Sequence, residues 1–197
     1  MVNLLEKALK STRKIKNYGF TLIEVLISIA LYSILIALVF STMNFNINSL
    51  YKVERNVEIQ QQAQFIFNFM EEKIMESTGL IYLEDMQGKS KHNTNENIFL
   101  KKIIFKNKPD RVDKGYIFQL SKDPEYDYYN LKYGIGLSGS ATVEAGNYIE
   151  NIELMPLPLD KKYNEADGII IKINFVFDGY RAAAENIFHY RNANEGI

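Results

Sequence analysis

The sequence predicts an α+β fold, in which one long N-terminal helix packs on an antiparallel β-sheet. No glycine or proline interrupts residues 20–78, a run of roughly 59 residues that would extend about 85–90 Å as a helix. After Gly79 the apolar residues follow a period of two, which is typical of strands. No second long helical pattern alternates with these strands. An antiparallel sheet is therefore favoured over βαβ units.

The first element is a basic leader, residues 1–19, followed by an apolar span, residues 20–42. The leader holds five basic side chains and one acid, and Glu24 is the only charged residue of the span. About 20 apolar residues suffice to cross a membrane as a helix. Because basic flanks stay inside, we expect a cytoplasmic N-terminus and a C-terminal part outside. A plain signal-anchor helix is the alternative, but it has no need of a costly carboxylate at this position.

The second half of the helix, residues 43–78, is predicted to be amphipathic. The short polar residues at 44–49 are weak helix formers, so a bend or fray is expected there. Beyond them, apolar residues recur at spacings of three, four and seven, which predicts one buried face. That face comprises Leu50, Val53, Val57, Phe65, Ile66, Phe69, Met70 and Ile74.

Residues 79–197 are predicted to form a β-rich globular head. Seven segments rich in Ile, Phe, Tyr and Val are separated by Gly, Pro, Asn and Asp, as strands are. They are 80–83, 98–105, 116–120, 128–133, 148–155, 168–177 and 186–190. The polar segments 87–96 and 157–166 are expected to be mobile surface loops.

The N-terminal residues resemble the cleavage and methylation signal of type IV pilins and pseudopilins. Gly19 stands as the last leader residue, Phe20 as the first mature residue and Glu24 as the fifth. The Gln-rich end of the helix and the last strand are similar to those of J-type (or W-type) minor pseudopilins and minor pilins. One departure is Ser41, which stands where many major pilins carry a proline. The resemblance implies a pilin-like fold and a structural, non-enzymatic subunit of an extracytoplasmic filament.

The same resemblance implies roles for individual residues. A prepilin peptidase would cut after Gly19 and methylate the new amine of Phe20. The Glu24 carboxylate would pair with the Phe20 ammonium of a neighbouring subunit and set its register. The implied partners are other minor and major pilins or pseudopilins and an inner-membrane assembly platform. Type IV pilus, type II secretion and competence machines all remain open, and no cofactor or metal is expected. The residues assigned to assembly with Glu24 are Thr21, Leu22, Ile23, Val25 and Leu26.

A binding module on a filament is the alternative function, either for DNA uptake or for adhesion. The best candidate for nucleic-acid contact is a basic segment near residues 101–111. The interpretation we favour is a solvated strand edge, where lysines discourage unwanted pairing. Without its basic leader the chain is mildly acidic, about −5, which argues against broad DNA binding. The candidate residues are Lys101, Lys102, Lys106, Lys108 and Arg111.

Other motifs have ordinary interpretations that we favour. The segment 134–139 matches G-x-G-x-x-G, but no helical pattern follows it, so a glycine-rich loop is expected. Acidic residues at 123–127 and 160–167 could bind calcium, although solvated turns fit their irregular spacing better. Sheet packing is favoured over a contact surface for the tyrosines Tyr116, Tyr126, Tyr128, Tyr129 and Tyr133. With no cysteine and two histidines, no catalytic constellation supports an enzyme.

Overall fold

The computed structural model describes residues 19–107 and 115–190. They form one helix followed by seven strands, and the predicted α+β, pilin-like architecture is confirmed. The elements are α1 (Leu22–Met75), β1 (Ser77–Asp85), β2 (Ile98–Asn107), β3 (Gly115–Lys122), β4 (Tyr129–Ile135), β5 (Val143–Leu157), β6 (Gly168–Phe177) and β7 (Tyr180–His189). The chain divides into two units, residues 1–49 and 50–197.

Helix α1 passes through the polar residues 44–49 without a break in its helical backbone. The predicted fray is therefore wrong. Each Asn or Ser costs only a few tenths of a kcal/mol in a helix, and neither Gly nor Pro is present to remove a backbone hydrogen bond. The helix ends at Met75, three residues before the predicted position. There the Ser77 hydroxyl donates to the Ile74 carbonyl oxygen at 2.6 Å, so a terminal carbonyl has a partner.

The buried face of α1 differs from the predicted one in its first part. Ile66, Met70 and Ile74 are buried as expected, but Leu50 and Val53 are 68 % and 60 % exposed. Val57 and Phe65 are exposed as well. At 100° per residue, the centre of the exposed set lies about 145° around the helix from the centre of the buried set. One sheet covers only one of these two apolar stripes. The buried stripe consists of Ile59, Ala63, Ile66, Phe67, Met70 and Ile74.

The seven strands form one antiparallel sheet whose spatial order follows the chain order. An additional pairing joins Ile98 of β2 to Leu154 of β5. The β3–β4 hairpin therefore lies between the later part of β2 and the earlier part of β5. The side chains that face α1 form the core with the buried helix stripe, and the largest of them are aromatic. Phe105 and Phe118 pack edge to face, with ring centroids 6.2 Å apart.

Strand β7 begins at Tyr180, six residues before the predicted strand 186–190. Asp178 and Gly179 have φ values of 48° and 76°, and Phe177 pairs with Tyr180 across them. This is a two-residue hairpin turn of the kind that an Asp-Gly dipeptide favours. The Ala-rich start of β7 has low strand propensity, so the hairpin and not the local sequence makes it a strand.

The loop after β5 is not the mobile surface segment that its polarity predicted. Tyr163 is 1 % exposed, and its hydroxyl lies 2.5 Å from the Leu154 carbonyl oxygen and 3.1 Å from that of Glu96. Its backbone N–H donates to the Thr94 carbonyl at 3.1 Å. This buried tyrosine thus joins the loop to β5 and to the polar loop 87–96. The 87–96 loop is mostly exposed, as predicted.

Candidate functional site

Helix α1 begins in a reciprocal pair of hydrogen bonds between Thr21 and Glu24. The backbone N–H and the hydroxyl of Thr21 each donate to Glu24 Oε2 at 2.9 Å. In return, the Glu24 N–H donates to Thr21 Oγ1 at 3.3 Å. This is a capping box, which supplies partners to donors that the first turn of a helix cannot satisfy. Glu24 thus has a local role in starting the helix, besides any role between subunits.

Sequence reasoning assigned Thr21 to assembly and missed this cap. The available signal was Thr21-x-x-Glu24 directly before an apolar run, which is the pattern of a capping box. Glu24 was interpreted as a charge within a membrane span, and the capping pattern was therefore not predicted. The capping role of Glu24 and its interpretation as a charge within a membrane span are compatible. Both hydrogen bonds from Thr21 end on Oε2, so the cap does not use the other carboxylate oxygen.

Gly19 and Phe20 precede the capping residue Thr21 and are exposed. Phe20 is 82 % exposed. A Cβ built on Gly19 would meet no atom of the described residues within 4 Å. The described part of the chain therefore gives no reason for a glycine at position 19.

The predicted assembly residues present a continuous apolar surface. Leu22, Ile23, Val25 and Leu26 are all exposed, and none of the residues 20–47 is buried. The helix is long and apolar enough to cross a membrane. Two of its hydroxyls are satisfied inside the helix, since Ser33 donates to the Ile29 carbonyl at 2.8 Å and Thr42 to the Leu38 carbonyl at 2.9 Å. These two hydroxyls therefore do not prevent close contact of this surface with lipid or another helix.

The basic candidate lies on β2, which is not the strand edge that we expected. β2 pairs with β1 on one side and with β3 and β5 on the other, because the sheet follows the chain order. Lys101 lies at a register shift between β2 and β1, and Lys102 donates to the Gly139 carbonyl oxygen. Lys106 is exposed. Lys108 and Arg111 lie outside the described residues.

The glycine-rich segment 134–139 begins with the last two residues of β4 and continues as the loop before β5, so a loop forms only in its later part, and it has a packing role. It returns across the sheet so that Ala141 is buried with Ile104 and Ile117, on the face opposite α1. The Ala141 N–H donates to the Gln119 side-chain oxygen at 3.4 Å. A Cβ at Gly134 would lie 3.1 Å from the Ala141 Cα, which gives a structural reason for this glycine.

The acidic residues at 123–127 form a turn. The Asp123 carboxylate accepts hydrogen bonds from the backbone N–H groups of Glu125 and Tyr126, at 2.9 and 3.0 Å. These bonds, the one from Glu125 first, lower the pKa of Asp123. In the second acidic segment, Asp167 pairs with Lys161 at 2.9 Å. Among the residues that the structure describes, no three His, Cys, Asp or Glu side chains are grouped to hold a metal ion.

The tyrosines divide into two groups. Tyr116 is buried in the core, and the partly buried Tyr129 and Tyr133 pack against it, as the sheet-packing interpretation predicted. Tyr126 is 59 % exposed and stacks on Tyr128, with ring centroids 5.4 Å apart. These two line a surface groove instead.

Comparison with protein-family models gives a match on the N-terminal segment. Residues 14–40 match the model of the prokaryotic N-terminal methylation motif. No curated protein and no solved structure matches the chain. The matched segment contains Gly19, Phe20, the capping pair and most of the exposed apolar surface. The chain thus has the signal of a type IV pilin-like precursor, and within the described residues one helix is long and apolar enough to anchor it in a membrane.

Proposed function

We propose that this chain is a minor pilin or pseudopilin of the J/W type. It is cleaved after Gly19, methylated on the new amine of Phe20 and assembled through α1 into the initiating or tip part of a filament. The filament is that of a type IV pilus or of a type II secretion-like machine. The observation that carries the proposal is an exposed apolar helix whose capped start lies two residues after Gly19, within the matched motif.

The surroundings of Gly19 support a role in recognition by an enzyme. Among the described residues, no atom lies within 4 Å of a Cβ built on Gly19, so none of them would clash with a larger side chain there. A requirement for glycine would then arise in the active site of a prepilin peptidase. Hydrolysis of the Gly19–Phe20 amide would leave an ammonium at Phe20, one residue before the capping pair.

The capping box orients Glu24 for a second partner. Its Oε2 accepts both bonds from Thr21, and Oε1 has no hydrogen-bond partner among the described residues. A Phe20 ammonium from a neighbouring subunit can pair with this carboxylate while the cap stays intact. Setting the register between packed helices is the best-attested use of such a buried ion pair. The exposed Leu22, Ile23, Val25 and Leu26 would contact the neighbouring helices.

Partners and location follow from the same proposal. The basic leader stays in the cytoplasm, and the head lies on the outer side of the membrane. The subunit then leaves the membrane for the filament, which is also outside. The assembly platform in the inner membrane and the other pilins or pseudopilins are the proposed partners. The subunit performs no catalysis itself.

An intact-mass measurement of the chain co-expressed with a prepilin peptidase tests this proposal. The expected product is residues 20–197 plus one methyl group, and Gly19→Ala is expected to block or slow its formation. Glu24→Gln is expected to be cleaved but lost from co-purified filaments. Glu71→Gln, the same change at an exposed site on the same helix, is the matched control. An unprocessed wild-type chain, beside a known pilin that the same cells do process, would refute the proposal.

A further inference from the structure

A surface groove of about 720 Å³ lies in the unit formed by residues 50–197, and the proposed function makes no use of it. Three elements line it: the first turns of α1 in this unit, the β3–β4 connection and the β6–β7 turn. Tyr148 of β5 completes the lining. The residues are Tyr51, Glu54, Arg55, Glu58, Tyr126, Asp127, Tyr128, Tyr148, Val176, Phe177, Asp178 and Gly179.

Aromatic rings form one continuous side of the groove. The rings of Tyr126 and Tyr128 are stacked, with an interplanar angle of 5°. The ring of Tyr148 meets Tyr128 edge to face at 5.3 Å and packs on Phe177 at 4.3 Å. Tyr51 belongs to the same lining and is 55 % exposed. Aromatic faces carry negative electrostatic potential, so such a wall favours a cation.

The backbone at Tyr148 is distorted in a way that directs its ring toward this wall. Tyr148 has a φ of 60°, a left-handed conformation that is rare for a bulky residue. It lies between the pairs Leu131–Gly146 and Tyr129–Ile149, where β5 contains one residue more than β4. Such a bulge redirects a side chain, and strained residues of this kind concentrate at functional sites. The distortion is thus a second, independent feature of the groove.

The charges of the groove are mostly negative. Glu54, Glu58, Asp127 and Asp178 line it, against the single cation Arg55. Asp178 pairs with Arg55, and Asp127 pairs with Lys122 at 3.1 Å. Glu54 and Glu58 have no ion-pair partner in the described part of the chain. Burial, and then the Glu58 carboxylate, raise the pKa of the Tyr148 phenol, so this ring stays neutral.

We propose that this groove binds a lysine or arginine side chain of a partner polypeptide. The ammonium or guanidinium would pair with Glu54 and Glu58 and contact the tyrosine faces, so both features of the groove attract the same ligand. A neutral ligand such as a sugar would remove water from two carboxylates without supplying an opposite charge. The proposal is independent of cleavage and filament assembly.

The test measures binding of a fluorescently labelled Gly-Ser peptide with four lysines to the full chain in detergent micelles. Fluorescence anisotropy is recorded at low and high salt. The double variant Glu54→Gln/Glu58→Gln is expected to weaken binding about tenfold, and Tyr126→Leu about threefold. The control Glu71→Gln/Glu185→Gln makes the same charge change at exposed sites outside the groove and is expected to bind as the wild type does.

A circular-dichroism spectrum like that of the wild type establishes that each variant is folded. Equal losses in the groove and control variants would show diffuse charge attraction and overturn the proposal. Equally tight binding of the same peptide with acetylated lysines would indicate a neutral ligand and also overturn it. Failure of the lysine peptide to bind the wild-type chain at low salt would do the same.

Discussion

Replacement of Gly146 by alanine tests how α1 docks on the sheet. Gly146 is buried on β5, and a Cβ there would run into Cγ1 and Cδ1 of Ile66, which is fully buried on α1. The φ of Gly146 lies outside the left-handed region, so alanine adds a steric clash without backbone strain. This docking matters beyond stability, because α1 and the strand connections both line the groove.

The magnitude follows from the two atoms in conflict. Overpacking a close-packed core costs about 1–3 kcal/mol, and the stiffer unfolded chain of the alanine variant offsets about 0.4–1 kcal/mol of this. Ile66→Ala deletes both conflicting atoms and is expected to cost about 2–5 kcal/mol by itself. In the double variant the new methyl group enters the space that Ile66 vacated. The double variant should therefore be less destabilised than the sum of the single ones, by about 1 kcal/mol or more.

Urea unfolding of the full chain in mild detergent provides the measurement. The chain has 13 tyrosines and no tryptophan, so near-ultraviolet circular dichroism of tyrosine reports on the packing of the head. Free energies of unfolding that add within about 0.5 kcal/mol across the cycle would refute this reasoning. In that case Gly146 and Ile66 would not be in contact, and the proposed seating of α1 on β5 would be wrong.

Three further predictions concern the head. Gly168→Ala places a Cβ against the backbone carbonyl oxygen of Phe188, which cannot rotate away, so a loss of about 2 kcal/mol or more of unfolding free energy is expected by urea titration. Tyr163→Phe keeps the buried ring but removes its hydrogen bond, and about 1–3 kcal/mol should be lost in the same titration. The amide of Asn174, the largest contributor, lowers the pKa of Glu153 from its ordinary 4.5, so this carboxylate stabilises the fold above that pH. This contribution to the free energy of unfolding is lost as the pH falls through the lower folded-state pKa. Glu153→Gln should therefore flatten the acidic part of the curve of unfolding free energy against pH. An unchanged curve in that pH range would contradict the role assigned to Glu153.

Several strands were predictable because their sequences alternate and end at clear breakers. The segment 168–177 matches β6 in both bounds. The start of β7 was missed although Asp178-Gly179 is a strong hairpin signal, because its Ala-rich residues do not look like a strand. The loop with Tyr163 was misjudged because its polar composition concealed one residue that the core requires. Local composition therefore predicts elements well and predicts their contacts poorly.

The candidate site shows the same division. The residues of the matched N-terminal motif were recognisable from their order along the chain, since Gly19, Phe20 and Glu24 lie within six residues of each other. The aromatic groove could not be recognised from the sequence, because Tyr51 on the helix and Tyr148 on β5 are nearly 100 residues apart. Their proximity depends on how α1 and the strands pack within the unit of residues 50–197.

The sequence by itself determined the long N-terminal helix, the change to strand periodicity and the N-terminal motif, because all three depend on residues close together in the chain. The fray expected at residues 44–49 was wrong. The tertiary structure alone decided which apolar stripe of α1 is buried. It also decided which strands are interior and where the bulge directs Tyr148. The physical reason is that a pattern of apolar residues records what can be buried. What covers them depends on contacts between segments far apart in sequence, and the periodicity of one segment carries no information about its partner.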